Sequence, residues 1–171
     1  MHKLKPLVLL SGRSSTRGFT LIELLVTLTI VSVLSLITLP FAEMTVTRTK
    51  ELELKQALRQ MRTAIDQFHD DVKSGRISKL NDKVSVNGFP KELSVLVQGL
   101  PTNNAQGSQR RYLRRVPLNP FARASDSLDK HWMLRGYQDP ADALFWNGED
   151  VYDIQAITDR VAIDGSQYKR W

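Results

Sequence analysis

Arg17-Gly18-Phe19-Thr20-Leu21-Ile22-Glu23-Leu24-Leu25-Val26-Thr27-Leu28-Thr29-Ile30-Val31-Ser32-Val33-Leu34-Ser35-Leu36-Ile37-Thr38-Leu39-Pro40 decides the reading of this chain. From Phe19 to Ala42 every side chain is apolar or hydroxyl-bearing except that of Glu23. A helix needs about 20 apolar residues to cross the hydrocarbon core of a bilayer, so this run is long enough to span one. Its Thr and Ser hydroxyls can bond back to carbonyls of the same helix, which lowers their cost in lipid. Glu23 has no such refuge. A lone carboxylate in an apolar span is expensive and marks a functional site by default.

The residues before the run set its orientation. Lys3, Lys5, Arg13 and Arg17 precede it without an acid among them, and basic flanks stay on the cytoplasmic side. Ordinary secretory signals place a short apolar core before a small-residue cleavage site. Leu7-Val8-Leu9-Leu10 is too short for that core. The formal net charge is +6 over 171 residues, and four of those charges lie before Gly18. The remainder of the chain is only weakly basic, which argues against a nucleic-acid partner. No cysteine is present, so an exported domain must be held by its core, by a metal or by its neighbours.

Gly18-Phe19-Thr20-Leu21-Ile22-Glu23 resembles the processing site of type IV pilins and type II secretion pseudopilins. The resemblance implies that a prepilin peptidase cuts after Gly18 and methylates the new terminal amine of Phe19. Glu23 then becomes the fifth mature residue and pairs with the freed amine of a neighbouring subunit. Pro40 falls where many members carry a helix-bending proline. Further along, Phe89-Pro90-Lys91-Glu92-Leu93 and Tyr112-Leu113-Arg114-Arg115-Val116-Pro117-Leu118-Asn119-Pro120-Phe121 resemble segments of the major pseudopilins. The lack of cysteine also suits that branch better than the disulfide-closed pilins.

The expected fold is therefore α+β and type IV pilin-like, a long N-terminal helix packed on a small antiparallel sheet domain. The expected organisation is a leader over 1–18, a membrane and fibre-core helix over 19–42, an amphipathic continuation over 43–75, and a globular periplasmic domain over 76–171. Leu54, Ala57, Leu58, Met61, Ala64, Ile65, Phe68 and Val72 recur at spacings of three and four and predict one apolar stripe. Ser74-Gly75 supplies the helix stop. Glu51 and Lys55 stand at a favourable i,i+4 spacing. In the globular part, Phe89–Val97 reads as a short helix with proline in its first turn, and residues 98–110 read as a loop. The segments 131–135, 143–146 and 151–157 are strand candidates in a β-meander, with Asn147-Gly148 as a hairpin turn.

Other sites compete with simpler explanations. Arg110, Arg111, Arg114 and Arg115 around Tyr112 could meet phosphates, but a solvated charged surface accounts for them as well. The acids Asp139, Asp142, Glu149, Asp150, Asp153, Asp159 and Asp164 crowd the last third. The resemblance implies a Ca2+ site in the loops of the sheet. No EF-hand spacing occurs, and Asp150 is the best single candidate ligand, with surface acids in turns as the alternative. His2, His69 and His131 are scattered, and Ser166 lacks a nucleophile-elbow context. No catalytic residue is assigned.

The resemblance implies a non-enzymatic fibre subunit in the bacterial inner membrane, with its C-terminal domain in the periplasm. Its partners would be the prepilin peptidase, other pseudopilins, a membrane assembly platform and a cytoplasmic ATPase. The alternatives are a minor pilin or competence pseudopilin engaged in DNA uptake, and a membrane-anchored enzyme.

Overall fold

Thr20 starts the longest element of the protein. Its carbonyl accepts the Leu24 N–H at 3.1 Å and its hydroxyl accepts the Glu23 N–H at 3.3 Å. Helix α1 begins there and covers Leu21–Lys73. The structure is a computed structural model that describes residues 18–104, 107–123, 125–127 and 130–171, the side chains of residues 37–40 apart. The leader expected over 1–18 lies outside the described residues except for Gly18. So do the side chains around Pro40, and with them the kink assigned there; the helical backbone itself continues through these positions.

The chain divides into two compact units, Met1–Glu43 and Met44–Trp171. In the first, the described part is a bare apolar helix. In the second, the rest of α1 is amphipathic, and all eight residues of the expected stripe, Leu54 to Val72, are buried. They pack with Ile77, Phe89, Leu96, Leu113, Trp132, Ile154 and Tyr168, among others. Helix α1 stops as anticipated. Gly75 takes φ +75°, its N–H reaches the Val72 carbonyl at 3.1 Å, and the Ile77 N–H reaches that of Asp71.

Among the described residues four short strands come after it: β1 Leu100–Pro101, β2 Gln109–Arg110, β3 Trp132–Arg135 and β4 Asp153–Ala156. They form two separate antiparallel ladders, β1 with β2 and β3 with β4. The fold class is α+β as expected, a long N-terminal helix followed by small antiparallel sheets. Its details differ from the expectation in three ways.

The first concerns the meander. Residues 143–146 form an irregular bend, not a strand. Leu144 and Phe145 are 77% and 85% exposed, so no neighbouring strand covers them and their β-propensity goes unused. Asn147-Gly148 therefore sits within a long connection from β3 to β4 instead of closing a hairpin. Second, helix α2 is shorter than expected, Leu93–Gln98. Pro90 stays extended, in a bridge with Val84, and its carbonyl accepts the Val151 N–H at 2.8 Å. Third, residues 98–110 are not all loop. Gly99 at φ +76° lets the backbone pass so close to Arg110 that a Cβ would collide with it, and this brings β1 against β2.

The helix grips the sheet and the C-terminal segment through polar side chains on the flank of its stripe. Arg62 Nε donates to Asp153 Oδ1 at 2.7 Å, and its terminal nitrogen donates to the carbonyls of Ile154 and Trp171. Asp153 also accepts from Arg135 at 2.8 Å. Glu51 and Lys55 turn to the C-terminal segment. Glu51 Oε1 accepts the Ile163 N–H and the Tyr168 hydroxyl at 2.8 and 3.0 Å, and Lys55 Nζ lies 4.2 Å from the Trp171 ring centre. Tyr168 is buried and stacks on Phe121 at 4.4 Å.

This clamp has a pH signature. Burial, and then the bond to the Glu51 carboxylate, push the Tyr168 phenol from its ordinary value of 10 up to about 12. The folded state thus favours the protonated phenol more than the unfolded chain does. Its contribution is complete below pH 10 and is lost as pH rises through about 12. A phenolate absorbance titration should show two tyrosines ionising late, Tyr168 and Tyr112, and Glu51→Gln should lower the midpoint of Tyr168 only in part, because burial remains. A Tyr168 that titrates normally would refute the clamp.

Candidate functional site

The start of α1 is built from a short list of parts. Gly18, Phe19 and Thr20 are outside the helix and exposed; Phe19 is 81% exposed. The Gly18–Phe19 bond is thus open to a protease. Thr20 and Glu23 form the Thr-x-x-Glu pattern of a capping box, of which the Thr20 half is made. This cap is not among the sequence expectations, although its pattern is visible in the sequence. Glu23 stands in the first turn, where the positive end of the helix dipole favours an anion.

Among the described residues the helix is exposed from Leu24 to Leu36. Leu24, Leu25, Leu28, Val31 and Leu34 are all more than half exposed. This is the one helix among the described residues long and apolar enough to cross a membrane. The hydroxyls do turn back on the helix: Thr27 bonds the Leu24 carbonyl, Thr29 that of Leu25, Ser32 that of Leu28 and Ser35 that of Val31, at 2.7–2.9 Å. Their donors are satisfied without water. Glu23 is left as the one ionisable group of the surface that the apolar helix presents.

The comparisons point to the same residues. Residues 13–39 match a family model described as the prokaryotic N-terminal methylation motif. The chain carries that motif. The match covers Gly18, Phe19, Glu23 and most of the apolar run. No curated protein and no solved structure matches the chain.

The other sites from the sequence are spread over the globular unit. Asp150 is buried, with both carboxylate oxygens engaged. Oδ2 accepts from Ser85 Oγ at 3.0 Å and Asn87 Nδ2 at 2.9 Å, and Oδ1 accepts the Tyr137 N–H at 2.8 Å. Asp139 accepts the N–H groups of Gly136 and Asn147. These acids fold their own loop by accepting from donors. No group of three or more metal-binding side chains gathers among the described residues. A calcium ion at Asp150 would have to share its carboxylate with the Ser85, Asn87 and Tyr137 donors or displace them.

The arginine cluster is not one surface. Arg110 forms an ion pair with Asp71, a buried acid near the end of α1, which also takes Arg76 at 2.9 Å and the Tyr112 hydroxyl at 2.8 Å. Burial first, and then that bond, push the Tyr112 phenol up from its ordinary value. Arg111 donates to the Gln98 carbonyl, while Arg114 and Arg115 are exposed. His69 stacks on Phe89 at 4.3 Å. His131 is buried against Asn119, accepting its N–H on Nδ1. A groove beside β3 and β4 is lined by Arg62, Arg135, Asp153 and Trp171, among others. Within it, the Asp153 carboxylate pairs with both Arg62 and Arg135.

Removing the Asp150 carboxylate should therefore act on the fold. Asp150→Ala leaves the Ser85, Asn87 and Tyr137 donors without an acceptor, and is expected to cost about 3 kcal/mol in chemical unfolding. Added calcium should leave the stability of the unsubstituted protein unchanged. A calcium-dependent rise in its unfolding midpoint would contradict the assignment.

Proposed function

We propose that this chain is a structural subunit of a periplasmic fibre, a pseudopilin of the type II secretion kind, and that it performs no chemistry itself. The observation that carries the reading is the single carboxylate of Glu23 in the first turn of a bare apolar helix, just after an exposed Gly18–Phe19 junction. A basic leader keeps this junction at the cytoplasmic face, where a prepilin peptidase would cut it. The new Phe19 amine is a cation, and N-methylation preserves that charge.

In the fibre, the exposed apolar helices cover one another. A Glu23 that enters this packing without a cation is costly to bury. Paired with the Phe19 amine of an adjacent subunit it becomes tolerable, so the pair fixes register more than it adds stability. The globular domain would stand in the periplasm. Assembly would draw on an inner-membrane platform and an ATPase. The absence of cysteine and the Tyr112–Phe121 segment favour the secretion branch. DNA uptake is favoured less, since Arg110 spends its charge on Asp71.

Two measurements test this. Mass analysis of the membrane-extracted protein should find an N-terminal peptide that begins with methylated Phe19; a full-length chain in cells that hold the peptidase would refute processing. Glu23→Gln should abolish fibre formation and cargo export while the protein remains in the membrane with its globular unit folded. Unimpaired assembly of that variant would end the pairing model.

A further inference from the structure

The protein contains two Asn-Gly pairs, Asn87-Gly88 and Asn147-Gly148, and the fold treats them in opposite ways. In such a pair no Cβ shields the glycine nitrogen. That nitrogen, on losing its proton, can attack the asparagine Cγ. Its bond to Cγ forms, the bond from Cγ to the amide nitrogen breaks, and ammonia leaves. The resulting succinimide is then opened by water at either carbonyl, giving aspartate or isoaspartate. Water is the sole co-reactant and no electrons are transferred.

At Asn87 both reacting groups are held. Its amide nitrogen donates to the buried Asp150 at 2.9 Å. The Gly88 N–H donates to the Ser85 carbonyl at 3.0 Å. Gly88 is closely packed, so that a Cβ there would lie 3.2 Å from the His69 ring. Ring closure would have to break both bonds and tear the turn from the domain, so it waits on local unfolding.

At Asn147 the side chain lies against Gly136, where a Cβ would come within 2.7 Å of its Oδ1, but the two reacting nitrogens are not tied down as they are at Asn87. Asn147 and Gly148 are exposed, and the space around Gly148 is open. Among the described residues, neither the Gly148 N–H nor the Asn147 amide nitrogen has a hydrogen-bond partner. The one bond the side chain makes favours attack. Asn147 Oδ1 accepts the Glu149 N–H at 2.9 Å, so a backbone donor already points at the oxygen on which negative charge develops as the tetrahedral intermediate forms.

We propose that Asn147 is a site of spontaneous deamidation in the folded protein and that Asn87 is protected. The consequence is local. A carboxylate at 147 joins Asp139, which accepts the Asn147 N–H, and Asp142 and Glu149 in the same loop. The isoaspartyl product also lengthens the main chain by one methylene beside Trp146, whose ring N–H is bonded to the Asp150 carbonyl at 2.6 Å. The loop carrying the exposed Leu144 and Phe145 is thereby loosened as the molecule ages. This inference does not depend on the fibre reading.

The test is peptide mapping of the purified full chain in detergent, aged in mildly alkaline buffer. Isoaspartate is read by an isoaspartyl methyltransferase and the amide-to-acid change by mass. In the folded protein the Asn147 peptide should convert several-fold faster than the Asn87 peptide. In urea the two should convert at similar rates. Asn147→Gln should remove the signal at that site and leave the slow Asn87 reaction unaltered. Equal conversion of both sites in the folded chain would overturn the proposal. So would an Asn147 that stays intact while the unfolded chain reacts.

Discussion

A helix satisfies its own backbone hydrogen bonds, and this constraint governs everything else in the protein. Only because of it can the residues after Thr20 carry an almost unbroken apolar surface. The same element, further on, confines its apolar side chains to one stripe from Leu54 to Val72 and buries them. One continuous secondary structure therefore serves two different surroundings. The composition of its side chains, and not its backbone, makes the change.

With no disulfide available, the globular unit relies on charged side chains to tie remote segments to the helix and to one another. Arg62 binds β4 and the last residue. Asp71 gathers Arg76, Arg110 and Tyr112 near the other end. Asp150 joins the turn around Ser85 to the loop after β3. These groups are half-buried or buried, so each has partners that would be left unsatisfied if it were removed. The sheets alone are too small to do this, since their strands are two to four residues long.

The parts of the fold that can be read from the sequence are those set by local periodicity. The apolar run, the stripe, the Gly75 stop and the strands around Met133 and Ile154 derive from spacing that a single segment displays. The parts that cannot be read depend on distant partners. Leu144-Phe145-Trp146 has the composition of a strand but lacks a neighbour to pair with. Pro90 has the position of a helix-starting proline, yet its carbonyl is claimed by Val151 from far along the chain. Asp150 has the sequence context of a surface acid or an ion ligand, because nothing near it in the chain reveals that Ser85 and Tyr137 bond it. At the candidate site, Gly18, Phe19 and Glu23 are legible from their order alone. The Thr20 cap is written there too, as a threonine three residues before a glutamate.

Glu51 marks where the helix stops being dispensable to the domain. It holds Ile163 and Tyr168, and Leu54 begins the buried stripe just beyond it. Shortening the protein from its greasy end to make it water-soluble thus has a natural limit. Scissors placed at Met44, where the second unit begins, discard the anchor alone, whereas a cut one turn beyond Glu51 would open the hydrophobic interior and unfasten the final residues together.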